Sequence, residues 1–240
     1  MKPYLSVIIP AYNEQDRIGS TLLIIEKYLK KQDYTWEILV VNDGSRDHTA
    51  NVIRDIRMRI KNLRFINNKK NHGKGYVVRQ GMLKARGKIR LFTDADNSTD
   101  ISHIEKLKPF LSKGFDIVIG SIEVSGAKIH EETGWYKRIF GKWSKLLIRI
   151  IALPGIRDSQ RGFKLFTAKS ARDIFPRQRI MRWGFDIEIL AIAKKLNYKI
   201  KEIPINWINK GKTEVSPMAY VKTLKELFQI KWNLITGKYR

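Results

Sequence analysis

The sequence predicts an α/β fold, a mostly parallel sheet flanked by helices. Three observations predict it. Short apolar runs rich in Val and Ile, of strand length, recur through the first half of the chain. Segments with apolar residues at helical spacing separate them, the alternation that builds a parallel sheet covered on both faces. Acidic and amide residues follow directly after three of the runs, where open sheets of this type bind their ligands.

Leu5–Ile9 reads as a buried strand, and Asn13 as the cap of a helix whose Ile18, Leu22, Ile25 and Leu29 share a face. Glu37–Val41 is a second strand, followed by a turn and a helix carrying Ile53, Ile56 and Ile60. Leu63–Ile66 is a third, with a helix from about Gly75 to Ala85 behind it. Ile89–Thr93 is a fourth, and Asp116–Ile119 a fifth after a helix around Ile104–Leu111. Beyond Gly120 the pattern loosens. Residues 122–134 read as an irregular loop and Trp135–Leu153 as a helix. Phe163–Phe166 and Lys199–Ile205 read as later strands, with a helix from about Asp186 to Leu196 between them.

At 240 residues the chain is long enough for one large domain with its own core. With no cysteine, disulfides and thiolate chemistry are excluded. Met1-Lys2-Pro3-Tyr4 leads straight into a strand, without a signal-peptide pattern. No run approaches the roughly 18 apolar residues that span a bilayer. Charge is the unusual feature: 47 basic against 23 acidic residues leave a net +24. Such a field attracts polyanions, either nucleic acid or an anionic membrane surface.

On this basic chain, three polar clusters end strands: Pro10-Ala11-Tyr12-Asn13-Glu14, Asn42-Asp43-Gly44-Ser45 and Asp94-Ala95-Asp96. Each alone has an ordinary explanation as a helix start or a turn. Gathered at one sheet edge, they make a site. Asp94 and Asp96 can hold a hard divalent cation, Mg²⁺ or Mn²⁺, and leave room for diphosphate oxygens. Asp43 can accept the imide N–H of uracil, and Tyr12 can cover a base. Asn71-His72-Gly73-Lys74-Gly75 brings a lysine and a helix N-terminus suited to phosphate, without the spacing of a Walker loop. His72 lacks a second histidine at metal-pair spacing and reads as structural.

Together these stretches, from Ser6 to Glu14, from Val41 to Asp47 and from Asp94 to Asp96, resemble the inverting family 2 glycosyltransferases of the GT-A fold. Asn71–Gly75, Ile156–Phe166 and Arg182–Glu188 look like the dolichyl-phosphate β-glucosyltransferases within it. The resemblance runs from about residue 4 to the C-terminus. It implies that Pro10, Tyr12, Glu14, Asp43, Lys74 and Asp94 bind the nucleotide sugar, and that Asp94 and Asp96 hold the metal. It implies catalytic roles for Asp186, with Asp158 as a second candidate, and for Asp96 at the diphosphate. Two positions depart from the pattern: Asn42 stands where aspartate is usual, and Ile122 where the subgroup commonly has arginine.

The expected reaction is glucosyl transfer from UDP-glucose to dolichyl or another polyprenyl phosphate. Mannosyl transfer from GDP-mannose, or transfer to a soluble glycan, is the alternative. A nucleic-acid-binding protein is the reading from another class, but it leaves the acidic strand ends unexplained and no recognition motif supports it. A phosphate acceptor is already anionic at neutral pH, with a second pKa near ~6, and needs cations more than a base. Arg157, Arg161 and Arg182 offer that capture, or else pair with Asp158 and Asp186. Trp135, Ile139, Trp143, Leu146 and Ile150 share a helical face, with Arg138, Lys142, Lys145 and Arg149 on another. Near the C-terminus, Tyr220, Val221, Leu224, Leu227, Phe228, Trp232 and Ile235 form a stripe bordered by Lys222, Lys225 and Lys231. Basic amphipathic helices carrying tryptophan suit an anionic interface, though packing on the sheet is the ordinary use of such a face. The expectation is one domain, 1–240, with a nucleotide-binding half at about 1–120 and an acceptor- and membrane-facing half at about 121–240. The enzyme would work in the cytoplasm, peripheral at the inner face of the membrane.

Overall fold

The computed structural model describes residues 2–130, 135–208 and 217–240, with the backbone alone for 128–130, 135–142 and 217–221. Seven strands form one sheet in the order β3-β2-β1-β4-β7-β5-β8. These are β1 (Leu5–Ala11), β2 (Trp36–Asp43), β3 (Leu63–Asn68), β4 (Ile89–Thr93), β5 (Ile117–Ser121), β7 (Phe163–Thr167) and β8 (Ile200–Pro204). The first four are parallel neighbours, and β1, β2 and β4 carry the apolar character of strands buried on both faces, while β3 is the half-buried edge. β7 enters antiparallel between β4 and β5, and β8 continues parallel to β5. Two short strands, β6 (Lys128–His130) and β9 (Asn206–Ile208), pair separately. The first of them interrupts the stretch expected to be irregular, while residues 131–134 lie outside the described chain.

One face of the sheet packs on α1 (Ile18–Leu29), α2 (Thr49–Arg57) and α4 (Ile104–Ser112). Ile18, Leu22, Ile25 and Leu29 are buried there against Leu5, Val7 and Ile9, on the predicted face. Ile60 is buried in the same layer although α2 ends before it. The other face carries α3 (Lys74–Lys84), α6 (Ala168–Ile174) and α7 (Phe185–Lys195), packed on Ile8, Phe92, Ile117, Ile119 and Phe166. α6 was not read from the sequence. Thr167 starts it by accepting from the Ser170 N–H, a capping signal at the end of a strand.

Asn13 does not cap α1. That helix begins at Ile18 without a side-chain cap, and Asn13 sits at φ 53° in the turn before it.

α5 (Trp135–Ile151) and α8 (Pro217–Ile235) contact each other beside the second layer. Ile148, Leu227 and Ile230 face inward. Trp143 is 63% exposed and Trp232 60%, and Leu146, Ile150, Leu224, Phe228 and Ile235 are exposed with them. Leu227 therefore leaves the predicted stripe for the core, while the rest of the described stripe faces outward. Trp135, Ile139, Arg138, Lys142, Tyr220 and Val221 lie outside the described side chains. No helix among the described residues is long and apolar enough to cross a membrane.

Candidate active site

The site forms where β1, β2 and β4 end, from loops held to one another by side chain to backbone bonds. Asn13 donates its N–H to Ser45 Oγ (2.9 Å) and accepts from Arg46 N (3.0 Å) through Oδ1. Glu14 N donates to Thr49 Oγ1 at 2.7 Å, and Gln15 exchanges bonds with Asp47 and His48. Asn42 donates to Asn67 Oδ1 (2.7 Å) while its own Oδ1 accepts from the Ser45 hydroxyl (2.5 Å). An amide supplies both a donor and an acceptor, which a carboxylate at this departure from the family pattern would not.

Asp43 is buried and holds the Asn71–Gly73 loop. Its Oδ1 accepts from His72 N at 2.7 Å, and its Oδ2 from Gly73 N at 2.8 Å and Asn71 Nδ2 at 2.9 Å. A carboxylate offers about four lone-pair directions, so one remains for a ligand. The loop meets the segment before α7 with no space to spare. Gly73 has φ 104°, Tyr76 N donates to Met181 O, and a Cβ on Gly75 would lie 2.7 Å from Phe185 Cβ. His72 stacks on Tyr76, as a structural histidine would.

Lys74, the first residue of α3, pairs with Asp94 at 2.6 Å and lies over the rings of Phe92 and Trp183. Burial pulls its pKa down, but Asp94 and Asp186 outweigh burial and hold it above the ordinary lysine value. Asp96 Oδ1 accepts from Ser98 N at 2.9 Å. Glu14, ion-paired with Arg17, is raised by burial against the pull of Arg17, with Asp96 and Asp94 adding to the rise. The acidic ends of β1 and β4 therefore share one electrostatic environment. Pro10 is buried in β1, and Tyr12 is exposed at the rim.

Among the described residues no three His, Asp or Glu side chains are grouped to hold a metal alone. Asp94 and Asp96 are a hard oxygen pair, and Asp96 keeps one oxygen free of any protein donor in the bonds it makes. Two such ligands fit a cation whose other positions are filled by phosphate oxygens and water.

The remaining predicted residues divide. Asp186, in the first turn of α7, is buried and bonded to Lys164 Nζ at 2.5 Å. Burial raises its carboxyl above the ordinary range, against the opposing pull of Lys164 and Lys74. Asp158 is buried in scaffolding instead: it accepts from Ile122 N (3.1 Å) and Gln160 N (3.4 Å), and pairs with Arg161 at 3.4 Å. Arg161 also lies over the Trp207 ring. Arg157 is exposed, with its backbone N–H bound by Glu202. Arg182 is exposed and donates to Asn71 Oδ1 at 3.2 Å, which joins it to the Asp43 loop. No arginine pairs with Asp186 in the described bonds.

Three participants were missed. Lys164 interrupts the apolar run Phe163–Phe166, a visible anomaly in a buried strand. Gly162 presses its backbone against Asp94, so closely that a Cβ would overlap the carboxyl group. Glu226 of α8 accepts from Gly184 N at 2.7 Å, two residues before Asp186. Neither of the last two carries a local sequence signal.

Comparison with known proteins shows the family and the fold. The profile described as Glycosyl transferase family 2 matches residues 6–175. A dolichyl-phosphate beta-glucosyltransferase of Trichomonas vaginalis is 36% identical over 238 residues, covering 95% of this chain and 70% of the relative. The Saccharomyces cerevisiae and Homo sapiens dolichyl-phosphate beta-glucosyltransferases are 34% and 31% identical, covering 99% and 98% of this chain and 77% of each relative. Among solved structures, glucosyl-3-phosphoglycerate synthase from Mycobacterium tuberculosis, in complex with Mg²⁺ and UDP, superimposes with a TM-score of 0.68 at 17% identity, covering 96% of this chain and 80% of that one. A complex of the same synthase with Mn²⁺, UDP-glucose and phosphoglyceric acid gives 0.67, again at 17% identity and with the same coverage. That likeness is one of fold.

Proposed function

Because this chain belongs to glycosyl transferase family 2, in the group of the dolichyl-phosphate beta-glucosyltransferases, we propose that it transfers glucose from UDP-glucose to dolichyl phosphate with inversion. The observation that carries the reading is the convergence of Asp43, Lys74, Asp94 and Asp96 at one sheet edge, on a chain of net +24.

Uridine lies between Tyr12 and the Asp43 loop, with the free acceptor direction of Asp43 taking the imide N–H. Asp94 and Asp96 hold Mg²⁺ or Mn²⁺, which supplies charge stabilisation to the departing diphosphate. Lys74 adds a second positive charge there, fixed in direction by Asp94. The acceptor phosphate attacks the anomeric carbon in line, from the side opposite the diphosphate. Arg157 and Arg182, both exposed, are available to receive its oxygens. Arg161 is committed to Asp158 and contributes charge without reaching far. A phosphate monoester is largely deprotonated above its second pKa of about 6, and for the fraction that still carries a proton the carboxylate of Asp186, held by Lys164, serves as the base. Asp158 shapes the segment from Arg157 to Gly162.

The exposed faces of α5 and α8, rimmed by Lys222, Lys225 and Lys231, are read as the contact with an anionic membrane surface that presents the lipid. Asp96→Asn tests the central claim. Transfer from UDP-glucose to dolichyl phosphate should fall at least about a hundredfold, with thermal stability unchanged. Full activity in that variant, or in excess EDTA, contradicts the reading.

A further inference from the structure

Lys164 is a lysine with no exposed surface in a strand whose other residues are Phe163, Leu165, Phe166 and Thr167. Its position is set by register: on β7 it stands opposite Phe92 of β4 and Ile119 of β5. The alternation of the strand sends Phe163 and Leu165 to the α1 side and Phe166 to the α7 side, and Lys164 with the latter. Its ammonium has three directions to satisfy. One meets Asp186 Oδ1 at 2.5 Å, one meets the carbonyl of Arg161, and the ring of Phe92 lies 5.5 Å away. Those groups belong to α7, to the segment that ends at Gly162, and to β4, two residues before Asp94.

Stability does not account for this lysine. Replacing a buried ion pair by apolar residues of similar volume is often neutral or favourable, and the surroundings of Lys164 are already apolar. Nor does it reach a substrate, being sealed from solvent. What it does is join the three parts of the site at one atom. Phe92 also lies beneath Lys74, 5.7 Å from that ammonium, so the charges run Lys164, Asp186, Lys74, Asp94 around a single ring.

We propose that Lys164 is a positioning residue for glucosyl transfer, itself held by the Arg161 carbonyl and aiming the carboxylate of Asp186 into the site. The inference rests on the role given above to Asp186. It requires that Lys164 act through that carboxylate, and a double-mutant cycle measures such dependence.

The experiment compares Lys164→Met, Asp186→Asn and the double variant with the wild-type chain, using UDP-glucose, Mn²⁺ and dolichyl phosphate, and measures kcat, KM, UDP affinity and Tm. Misplacement by about 1 Å costs on the order of a hundredfold, so Lys164→Met should lose about that in kcat. KM for UDP-glucose and the affinity for UDP should stay within about threefold, because the donor contacts lie elsewhere. The double variant should be no slower than Asp186→Asn alone. Wild-type kcat in Lys164→Met, or losses that multiply in the double variant, would overturn the proposal. If Lys164→Met fails to fold because Asp186 is stranded, the double variant strands no charge. Its kcat against that of Asp186→Asn then decides: equality supports the proposal and a further drop overturns it. A wild-type chain inert toward dolichyl phosphate but binding UDP overturns the functional reading itself, and the role of Lys164 with it.

Discussion

Gly162 offers a perturbation whose size follows from the structure. A methyl group there would fall inside the contact radius of Asp94 Cγ and both carboxyl oxygens. Non-bonded atoms settle at about 3.5–4.0 Å, so the carboxyl must retreat by about an ångström or more. The backbone has little freedom to absorb this, because Asp94 N donates to the Gly162 carbonyl at 3.2 Å. The carboxyl would instead leave Lys74, its partner at 2.6 Å, and a displacement of that order costs roughly a hundredfold in turnover. Gly162 is not among the residues at positive φ, so Gly162→Ala carries only the overpacking cost, about 1–3 kcal/mol. Transfer assays across a Mn²⁺ series should show the lost turnover together with weakened metal activation, while Tm falls by only a few degrees. Activity within threefold of wild type at every Mn²⁺ concentration would refute the placement of Asp94 at the reacting diphosphate.

Asp43→Ala should remove three hydrogen bonds from the Asn71–Gly73 loop and leave the buried Gly73 N–H unpaired, costing about 1–3 kcal/mol in urea unfolding; an unchanged midpoint contradicts the loop assignment. In the wild-type chain UDP should bind about ten- to a hundredfold more tightly than CDP, whose ring lacks the imide donor, and equal affinities by calorimetry would remove uracil from the Asp43 site. Glu188 is raised by burial, against the bonds from Tyr239, Ile180 and Arg179. A carboxyl raised in the folded state adds stability below its unfolded pKa, and that contribution is lost as pH rises through the folded value. The stability of wild type relative to Glu188→Gln should therefore grow as pH is lowered from neutral toward the ordinary carboxylate range; a gap that shrinks on acidification would reverse the sign. Replacing Trp143 and Trp232 with serine should reduce sedimentation with anionic liposomes at low salt and leave UDP binding intact, and undiminished sedimentation would remove those faces from the interface.

The parallel half of the sheet was legible because β1, β2 and β4 are buried on both sides, and burial writes itself as short runs rich in Val, Ile and Leu. The acidic strand ends were legible for the complementary reason, since three polar clusters follow directly on apolar runs in a strongly basic chain. The antiparallel entry of β7 was not: Phe163–Thr167 looks the same read in either direction. Asp158 and Asp43 look in sequence like ligands, yet both accept backbone N–H groups that only the folded loops bring near. The arginines near Asp186 in sequence suggest its cation, but the partner is Lys164, on a strand twenty-two residues earlier. α8 was readable as amphipathic, but assigning Leu227 to the core rather than to the outer stripe required knowing where α5 and α7 lie.

The wedge position of β7 bears on how this protein can change over evolutionary time. An edge strand tolerates insertions and deletions nearby, because it can slide or fray. β7 is clamped on both sides, against β4 and β5, and a slip of one residue sends every side chain to the opposite face. Such a slip would drive the Lys164 ammonium into the layer of Leu91 and Val118, and would bring Phe163 or Leu165 to the carboxylate of Asp186. The length of the connection from Arg157 to Gly162 is therefore fixed by the strand it feeds. Drift in this part of the chain must proceed by substitution, and length variation is pushed outward to segments that end on no clamped strand.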